Sequence, residues 1–239
     1  MKKITVAIIG NIYPEKMNFS VNSTIAAIEK DFEEVSAYVP DENFTIETYN
    51  EACIKHLYHN VKTEFVLIVQ YDGMAVKKNF WTDEYFNYDY IGAPWPERFY
   101  WITEEQRAGG NGGFSLRSMK LLETLQRSEF ERPDGYPEDL YICGLERKNL
   151  IENFNIKFPS YELANQFSVE WCNQTGNTLG FHGLWNTPLF FDQNTVIDLI
   201  KDLPKTYWYP DRVEAFIDFC NRKRYFDAKM AMINVLRNG

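Results

Sequence analysis

Residues 65–73 read FVLIVQYDG, and this stretch does most to indicate the fold. Its first five residues are apolar and largely β-branched, which is typical of a strand buried on both faces and central in a sheet. Residues 4–9 (ITVAII) predict a second strand of the same kind, which ends at Gly10. An acidic residue, Asp72, directly follows the central strand.

Helical and strand-like stretches alternate around these two strands. The patterns predict a helix from about Asn22 to Phe32, a strand over Val35–Val39 and a helix over Glu51–Asn60. This β-α-β-α-β order predicts an α/β fold with a Rossmann-like, mostly parallel central sheet flanked by helices. In such sheets ligands bind beyond the carboxyl ends of the strands.

The last part of the chain is helical in pattern, beginning near Asn194. We therefore expect one catalytic domain over residues 1–190, with a C-terminal helical extension over residues 191–239 packed on it. The arginine-rich triplet Arg222-Lys223-Arg224 suggests peripheral contact with an anionic membrane, although such triplets are more often simply solvated.

Charge and cysteine content narrow the function classes. The chain has 239 residues and a net charge of −9, which disfavours sequence-independent nucleic-acid binding. Its cysteines form no CxxC pair and are too far apart to indicate a zinc site or a disulfide framework. They are Cys53, Cys143, Cys172 and Cys220. Because the N-terminal apolar run is too short for a signal-peptide core, we expect a cytoplasmic protein, with the inner membrane face as a further location.

Two loops lie where ligands are expected. Asp72 can bind a divalent cation that bridges two phosphates, or it can simply belong to an Asp-Gly turn at a strand end. The loop after the first strand contains Asn11 and Tyr13. A third segment, GGNGG at 109–113, allows close approach of the backbone to a ligand, or forms a flexible hairpin loop.

Three further sites could carry chemistry. Glu138 and Asp139 precede a helix-like run, where one carboxylate could act as a general base or both could cap the helix. His182, between Phe181 and Gly183, could bind a metal or a phosphate, or could be structural. Trp95, in a Pro-Trp-Pro turn, could present its indole to a sugar or fill the core.

Together these strings resemble the GT-A-type glycosyltransferases, and in particular a bacterial and viral branch of them. The shared strings are VQYDG (69–73), DYIGAPW (89–95), GNGGFSLRS (110–118), PED (137–139) and FHG (181–183). The resemblance covers roughly residues 60–186. It implies transfer of a hexosyl unit, with galactosyl or galactofuranosyl suggested, from a nucleoside-diphosphate sugar to a glycan or lipid-linked oligosaccharide in surface polysaccharide synthesis.

The resemblance also implies roles for residues. Asp139, with Glu138 as the alternative, resembles the catalytic base of inverting members, and Asp72 with His182 would hold Mn²⁺ or Mg²⁺. The implied nucleotide-binding residues are Asn11, Tyr13, Gln70 and Tyr71. The implied donor- and acceptor-sugar residues are Trp95, Asn111, Gly112, Gly113 and Phe114.

One departure from the family pattern affects metal binding. Gln70 replaces the first Asp of the DxD motif, so a metal-free site that uses Arg107 or Arg117 stays open. Two other functions also stay open. One is a non-catalytic module that binds a nucleotide sugar or a glycan, and the other is a metal-dependent hydrolase using Asp72, Asp139 and His182.

Overall fold

A computed structural model describes residues 4–10, 12–28, 32–38, 45–172 and 175–238, with backbone only for 32–38 and 238. Its strands are β1 Ile4–Ile9, β2 Phe32–Tyr38, β3 Phe65–Val69, β4 Gly73–Ala75, β5 Tyr90–Ala93, β6 Asn111–Ser118, β7 Ser168–Val169 and β8 Gly180–His182. Its α-helices are α1 Pro14–Ile28, α2 Ile46–Glu51, α3 Leu57–Asn60, α4 Glu104–Arg107, α5 Met119–Thr124, α6 Glu138–Leu140, α7 Arg147–Phe154, α8 Tyr161–Phe167, α9 Gln193–Ile200, α10 Pro210–Lys223 and α11 Phe226–Asn238.

Two of these helical paths contain π-helical turns. The turn Ala52–His56 joins α2 to α3, and the turn Tyr141–Leu145 follows α6. Four short 3₁₀ segments complete the helical structure of the described residues: Lys78–Phe80, Asp83–Asn87, Leu184–Leu189 and Lys205–Tyr207. Short π turns within helices are frequently found at functional sites, and the second one directly follows the Glu138-Asp139 pair.

The chain divides into two compact units. The first comprises Met1–Asn173 and Asn177–His182, and the second comprises Gln174–Gly176 and Gly183–Gly239. The domain boundary at residue 190 and the packing of the C-terminal extension stay predictions. The candidate site residues from 72 to 182 all belong to the first unit.

The main sheet of the first unit is mixed, which corrects the expectation of a mostly parallel one. Its strand order is β2-β1-β3-β6-β5. β1 is parallel to both β2 and β3, whereas β6 is antiparallel to both β3 and β5. Parallel neighbours usually need a crossover through a helix, and the chain between the neighbours β5 and β6 contains only the one-turn helix α4. The α/β class itself is confirmed.

The two faces of this sheet are covered by different helices. Alternation along β3 sends Phe65, Leu67 and Val69 into one cluster, where they pack with apolar residues of α1 and α8. Val66 and Ile68 point to the other face and pack with residues of the 46–61 helical path. All five β3 side chains are buried, as the continuous apolar run predicts.

The first helix begins earlier than the sequence pattern predicts. Pro14 occupies its first turn, where a missing N–H costs nothing. Two serines near the predicted start, Ser20 and Ser23, lie inside α1. Their hydroxyls donate to the carbonyls of Tyr71 and Ala75, so they tie the helix to the segment after β3.

A small second sheet, in the order β4-β8-β7, extends the first unit beyond the end of β3. β4 pairs antiparallel with β8, and β8 pairs parallel with β7. The register places Gly73 opposite His182. This sheet therefore brings residues near 72, 170 and 182 to one place.

The second unit is helical, and α9, α10 and α11 bear out the helical pattern of that part of the sequence. Its core includes Trp185, Val196, Ile200, Phe216 and Met232. The Arg212 guanidinium lies 4.5 Å from the Trp185 ring centre and 4.7 Å from that of Tyr207. Among the described helices, none is both long enough and apolar enough to span a bilayer.

Candidate functional site

Gly112 and Gly113, at the start of β6, lie between two groups of side chains. A Cβ on Gly112 would overlap Glu138 Oε1, and a Cβ on Gly113 would overlap the His182 imidazole and Gln70 Oε1. Glycine is therefore the residue that lets both groups approach one short stretch of backbone. We call the Glu138-Asp139 side of this stretch the base side, and the side with Asp72, Glu170 and His182 the cation side.

The Asp139 carboxylate on the base side accepts two backbone hydrogen bonds and titrates near neutral pH. The Gly112 N–H donates to its Oδ2 at 3.2 Å, and the Leu140 N–H donates to its Oδ1 at 2.7 Å. Burial, followed by the neighbouring Glu138 carboxylate, raises the pKa of Asp139 to about 7. The two N–H groups oppose this shift but do not cancel it. A carboxyl that titrates near neutral pH can both take up and release a proton.

Glu138 has a different environment, although it is the next residue. It is 2% exposed, and its Oε1 accepts a hydrogen bond from Arg117 Nη2 at 2.9 Å. The Arg117 side chain is fully buried, and its guanidinium lies 4.9 Å from the Tyr90 ring centre. Burial disfavours the charged guanidinium, but Glu138 together with Tyr90 and Cys53 outweighs this and holds the pKa of Arg117 above its ordinary value. Neither Glu138 nor Arg117 is accessible to a substrate in this arrangement.

The cation side is built on a tight turn at the end of β3. Gln70 and Gly73 exchange backbone hydrogen bonds of 3.0 and 3.1 Å, which places Tyr71 and Asp72 at the tip of the turn. Asp72 is buried, and its Oδ1 lies 3.5 Å from His182 Nε2. Gln70 Oε1 lies 3.1 Å from the same nitrogen. The structure thus brings Gln70, Asp72 and His182 together, as the sequence order suggests.

Glu170 is a member of the cation side that sequence reasoning missed. Its Oε1 lies 3.3 Å from His182 Nδ1, and the residue is buried. The signal lies in the string FSVE at 167–170. β7 pairs in parallel with β8, so that Val169 is opposite Phe181 and the next residues, Glu170 and His182, face each other.

The two carboxylates determine the charge of His182. Burial alone would lower its pKa, but the charges of Asp72 and Glu170 outweigh burial and raise the pKa of His182 to about 10. In this state the imidazole is a cation between two anions. The cation side therefore has the local charge that favours a positive ion.

Two side chains of the cation side are of kinds that bind divalent metal ions. Among the residues that the structure describes, no group of three or more His, Cys, Asp or Glu side chains could hold one. Asp72 Oδ1 lies 3.5 Å from His182 Nε2, and carboxylate oxygens suit Mn²⁺ or Mg²⁺. A metal ion bound to Nε2 would have to displace the proton that the two carboxylates hold on the imidazole. Glu170 contacts the other ring nitrogen, as carboxylates commonly do behind a metal-binding histidine.

An aromatic pair lies beside the Asp72 turn. The rings of Tyr13 and Tyr71 are 5.0 Å apart between centres, and both side chains are partly exposed. Tyr13 has a positive φ of 54°, and the Lys16 ammonium lies 5.6 Å from its ring centre. These two predicted nucleotide-binding residues are therefore neighbours. Asn11, the other predicted residue of this loop, lies outside the described residues.

Two predicted sugar-binding rings belong to the core instead, and this is a correction. Trp95 is 4% exposed and packs in a cluster with Tyr90 and Ile102. Phe114 is fully buried and stacks on Phe167 with 5.0 Å between ring centres. The local sequence around Trp95 and Phe114 does not predict that their side chains are buried, because the burial depends on elements distant in the chain. Asn111 stays at the site, where its Oδ1 accepts the Gly113 N–H at 2.8 Å.

Comparisons with solved structures give distant likenesses. A glycosyltransferase involved in the glycosylation of the major capsid of PBCV-1 matches with 14% identity and a TM-score of 0.48, covering 90% of this chain and 98% of that one. A mannosyltransferase from Pyrobaculum calidifontis, solved with GDP-Man and Mn²⁺, matches with 10% identity and a TM-score of 0.47. The match covers 99% of this chain and 74% of the mannosyltransferase. At these scores the likenesses carry no weight for the chemistry of this chain.

Sequence comparisons identify the family. No curated protein matches the chain in sequence. A family match covers residues 35–182, which is more than half of the chain and includes β3, the glycine stretch and both sides of the site. The chain therefore belongs to the family described as "Protein of unknown function (DUF5672)".

Proposed function

We propose that this chain is a glycosyltransferase that moves a sugar from a nucleoside-diphosphate donor to a hydroxyl of a glycan. The observation that carries the proposal is the glycine stretch with a different chemistry on each side. Asp139, whose pKa is about 7, accepts a hydrogen bond from Gly112, while Gly113 packs against His182 and Gln70. A base and a cation-favouring pocket at one backbone stretch suit an acceptor hydroxyl and a leaving diphosphate.

In the proposed reaction Asp139 acts on the acceptor. Its ionised carboxylate takes the proton of the acceptor hydroxyl while that oxygen forms a bond to the anomeric carbon of the donor. The bond from the anomeric carbon to the diphosphate oxygen breaks, and its electron pair leaves with the nucleoside diphosphate. A single displacement of this kind inverts the anomeric configuration. Glu138 cannot take this role while its carboxylate is bound to the buried Arg117.

The cation side would receive the diphosphate. Mn²⁺ or Mg²⁺, held by Asp72 and His182, would stabilise the negative charge that develops on the leaving diphosphate. Glu170 orients the His182 ring through Nδ1, and the β3–β4 turn fixes the Asp72 carboxylate at its tip. Burial of Asp72 and Glu170 strengthens their interaction with any cation at this point.

The nucleotide base would contact Tyr13 and Tyr71. These rings are partly exposed, and Tyr71 directly precedes Asp72, so a base stacked there would leave its diphosphate close to the cation side. Gln70, Asn111 and the glycine stretch would then lie near the transferred sugar. A galactosyl or galactofuranosyl donor, a lipid-linked or surface-polysaccharide acceptor and a location at the cytoplasmic membrane face remain parts of the proposal that rest on the resemblance.

A thermal-shift experiment tests donor binding. The unfolding midpoint is measured with a panel of nucleoside-diphosphate sugars, with Mn²⁺ or with EDTA, because a ligand that binds the folded state raises the midpoint. We expect one donor to raise it with Mn²⁺, and the shift to be lost with EDTA and in Asp72→Asn. Asp83→Asn, which changes an exposed aspartate, is the matched control and should keep the shift. A wild-type protein that responds to no donor at saturating concentration would contradict the proposal.

A further inference from the structure

The segment 94–110, which joins β5 to β6, carries two exposed aromatic side chains. Tyr100 is 87% exposed and Trp101 is 60% exposed. Phe99 stacks on Trp101 with 5.0 Å between ring centres and 17° between the planes. This contact holds the indole in place while leaving most of it in solvent. Tyr100 and Trp101 together form an exposed aromatic surface that packs neither on the sheet nor in the core.

One end of this segment is tied to the cation side. The Arg98 guanidinium lies 4.6 Å from the centre of the Trp171 ring, and Trp171 directly follows Glu170. The Cys172 thiol donates to the Pro94 carbonyl at 3.5 Å. The aromatic segment is thus held against the residues that come immediately after the carboxylate behind His182.

The other end is tied to the base side. Arg147, in α7, donates to the Ala108 carbonyl at 2.9 Å, and Gln106 donates to the Gly144 carbonyl at 2.9 Å. Both partners lie in the helical path that begins at Glu138 and carries Asp139. The segment therefore bridges the base side and the cation side and continues directly into Gly112 and Gly113.

From this placement we infer that Tyr100 and Trp101 bind the acceptor glycan, at a sugar unit beyond the one that reacts. The inference rests on the proposed transferase function and specifies its acceptor as a neutral oligosaccharide of at least two units. Tyr13 and Tyr71, which follow β1 and β3 in the chain, are the rings proposed to contact the donor.

The chemistry of the segment favours a neutral glycan over an anionic surface. Tyr and Trp rings offer flat apolar faces with a polar edge, which suits the C–H face of a sugar ring. Within residues 94–107 three acidic side chains outnumber two basic ones, and the whole chain has a net charge of −9. An anionic membrane attracts aromatic residues that are accompanied by basic ones, and it would be repelled here.

Titration with neutral disaccharides tests the inference directly. Lactose, maltose, cellobiose and diacetylchitobiose are added to the full chain up to about 10 mM, which covers weak carbohydrate affinities, and binding is followed by saturation-transfer NMR. The variant is Tyr100→Ala combined with Trp101→Ala. Phe226→Ala, which removes an exposed aromatic ring from α11, is the matched control. The donor-induced thermal shift is measured on the same samples.

We expect at least one disaccharide to bind the wild type and the control equally, and the double variant to bind it at least about tenfold more weakly, a difference of roughly 1.4 kcal/mol. The donor-induced shift should be unchanged in the double variant. Equal binding by the double variant, or no binding by the wild type to any disaccharide, would overturn the inference. Binding to phosphatidylglycerol vesicles is measured in parallel, and a double variant that loses vesicle binding but keeps disaccharide binding would also overturn the inference. Failure of the proposed function is distinguishable, because it would remove the donor shift from the wild type as well.

Discussion

The two sides of the glycine stretch use carboxylates in opposite ways. On the base side Asp139 is desolvated next to Glu138, so its proton is held until about pH 7. On the cation side Asp72 and Glu170 flank His182 and favour a positive charge between them. Gly112 and Gly113 separate the two environments by a single peptide unit. The difference shows how one short backbone stretch can separate a carboxyl with a raised pKa from a cationic imidazole held between two carboxylates.

The largest expected effect concerns the ion pair behind the base. Glu138→Gln leaves the Arg117 charge buried without its carboxylate, and breaking a buried pair of this kind costs about 3–5 kcal/mol. We expect denaturant unfolding to show a loss of that size. The matched control is Glu131→Gln at an exposed position, which should stay within about 0.5 kcal/mol of the wild type. If both variants were equally stable, the ion pair would not be what distinguishes Glu138 from Asp139.

The next effect concerns the glycine that faces the cation side. Gly113→Ala would drive a methyl group into the His182 imidazole and Gln70, and overpacking of this kind costs about 1–3 kcal/mol. We expect a lower unfolding midpoint and a weaker donor-induced shift. Gly144→Ala is the control, since a Cβ there meets no atom within 4 Å. A Gly113→Ala protein with the full donor shift would mean that the donor does not use this side.

Glu170 offers a milder change of the same side. Glu170→Gln keeps a possible hydrogen bond to His182 Nδ1 but removes the charge behind the ring. Residues in this position typically change metal affinity by about 10–100-fold, so titration of Mn²⁺ should show weaker binding by that factor. Glu162→Gln, on the exposed face of α8, is expected to bind Mn²⁺ like the wild type. If Glu170→Gln bound Mn²⁺ with the wild-type affinity, Glu170 would have no role in metal binding.

A further expected effect is the pH dependence of stability on the base side. The pKa of Asp139 is raised to about 7 in the folded state and is near 4 in the unfolded state. Between pH ~4 and pH ~7 the folded protein therefore keeps a proton on Asp139 that the unfolded chain has lost. The stability of the wild type falls as pH rises through this range, because ionisation of Asp139 disfavours the folded state. Asp139→Asn has no such titration. Its stability relative to the wild type should therefore rise by up to about 4 kcal/mol from pH ~4 to pH ~8, measured by urea unfolding. A pH-independent difference would mean that the pKa is not raised.

The sequence predicted β1 and β3 closely and β2 in part, because a continuous apolar run is a local pattern, whereas the short strands β4, β5, β7 and β8 were not predicted. The β3 strand and the Asp72 turn are adjacent in the chain, and the glycines of residues 109–113 can be recognised from the sequence alone. Sheet direction was not predictable in the same way, since apolar strands look alike whichever way they run. This is why the antiparallel direction of β6 was not predicted.

Contacts between distant segments account for the other misses. Glu170 reaches His182 only through the β7–β8 pairing, which is formed by two short strands with no strong pattern. The environments of Glu138 and Asp139 differ because Arg117, some twenty residues earlier on β6, reaches only one of them. Likewise, the burial of Trp95 and the exposure of Trp101 depend on neighbours that the local sequence does not name.

The most direct test of the account is the rate of sugar transfer by Asp139→Asn. With a donor identified by thermal shift and a disaccharide acceptor, the product is followed by mass spectrometry in the wild type and the variant. We expect the wild type to transfer the sugar and Asp139→Asn to do so about 10²–10⁴-fold more slowly, because the variant lacks the general base. The donor-induced thermal shift should be retained in the variant. Transfer by Asp139→Asn at the wild-type rate would contradict the assignment of Asp139 as the base.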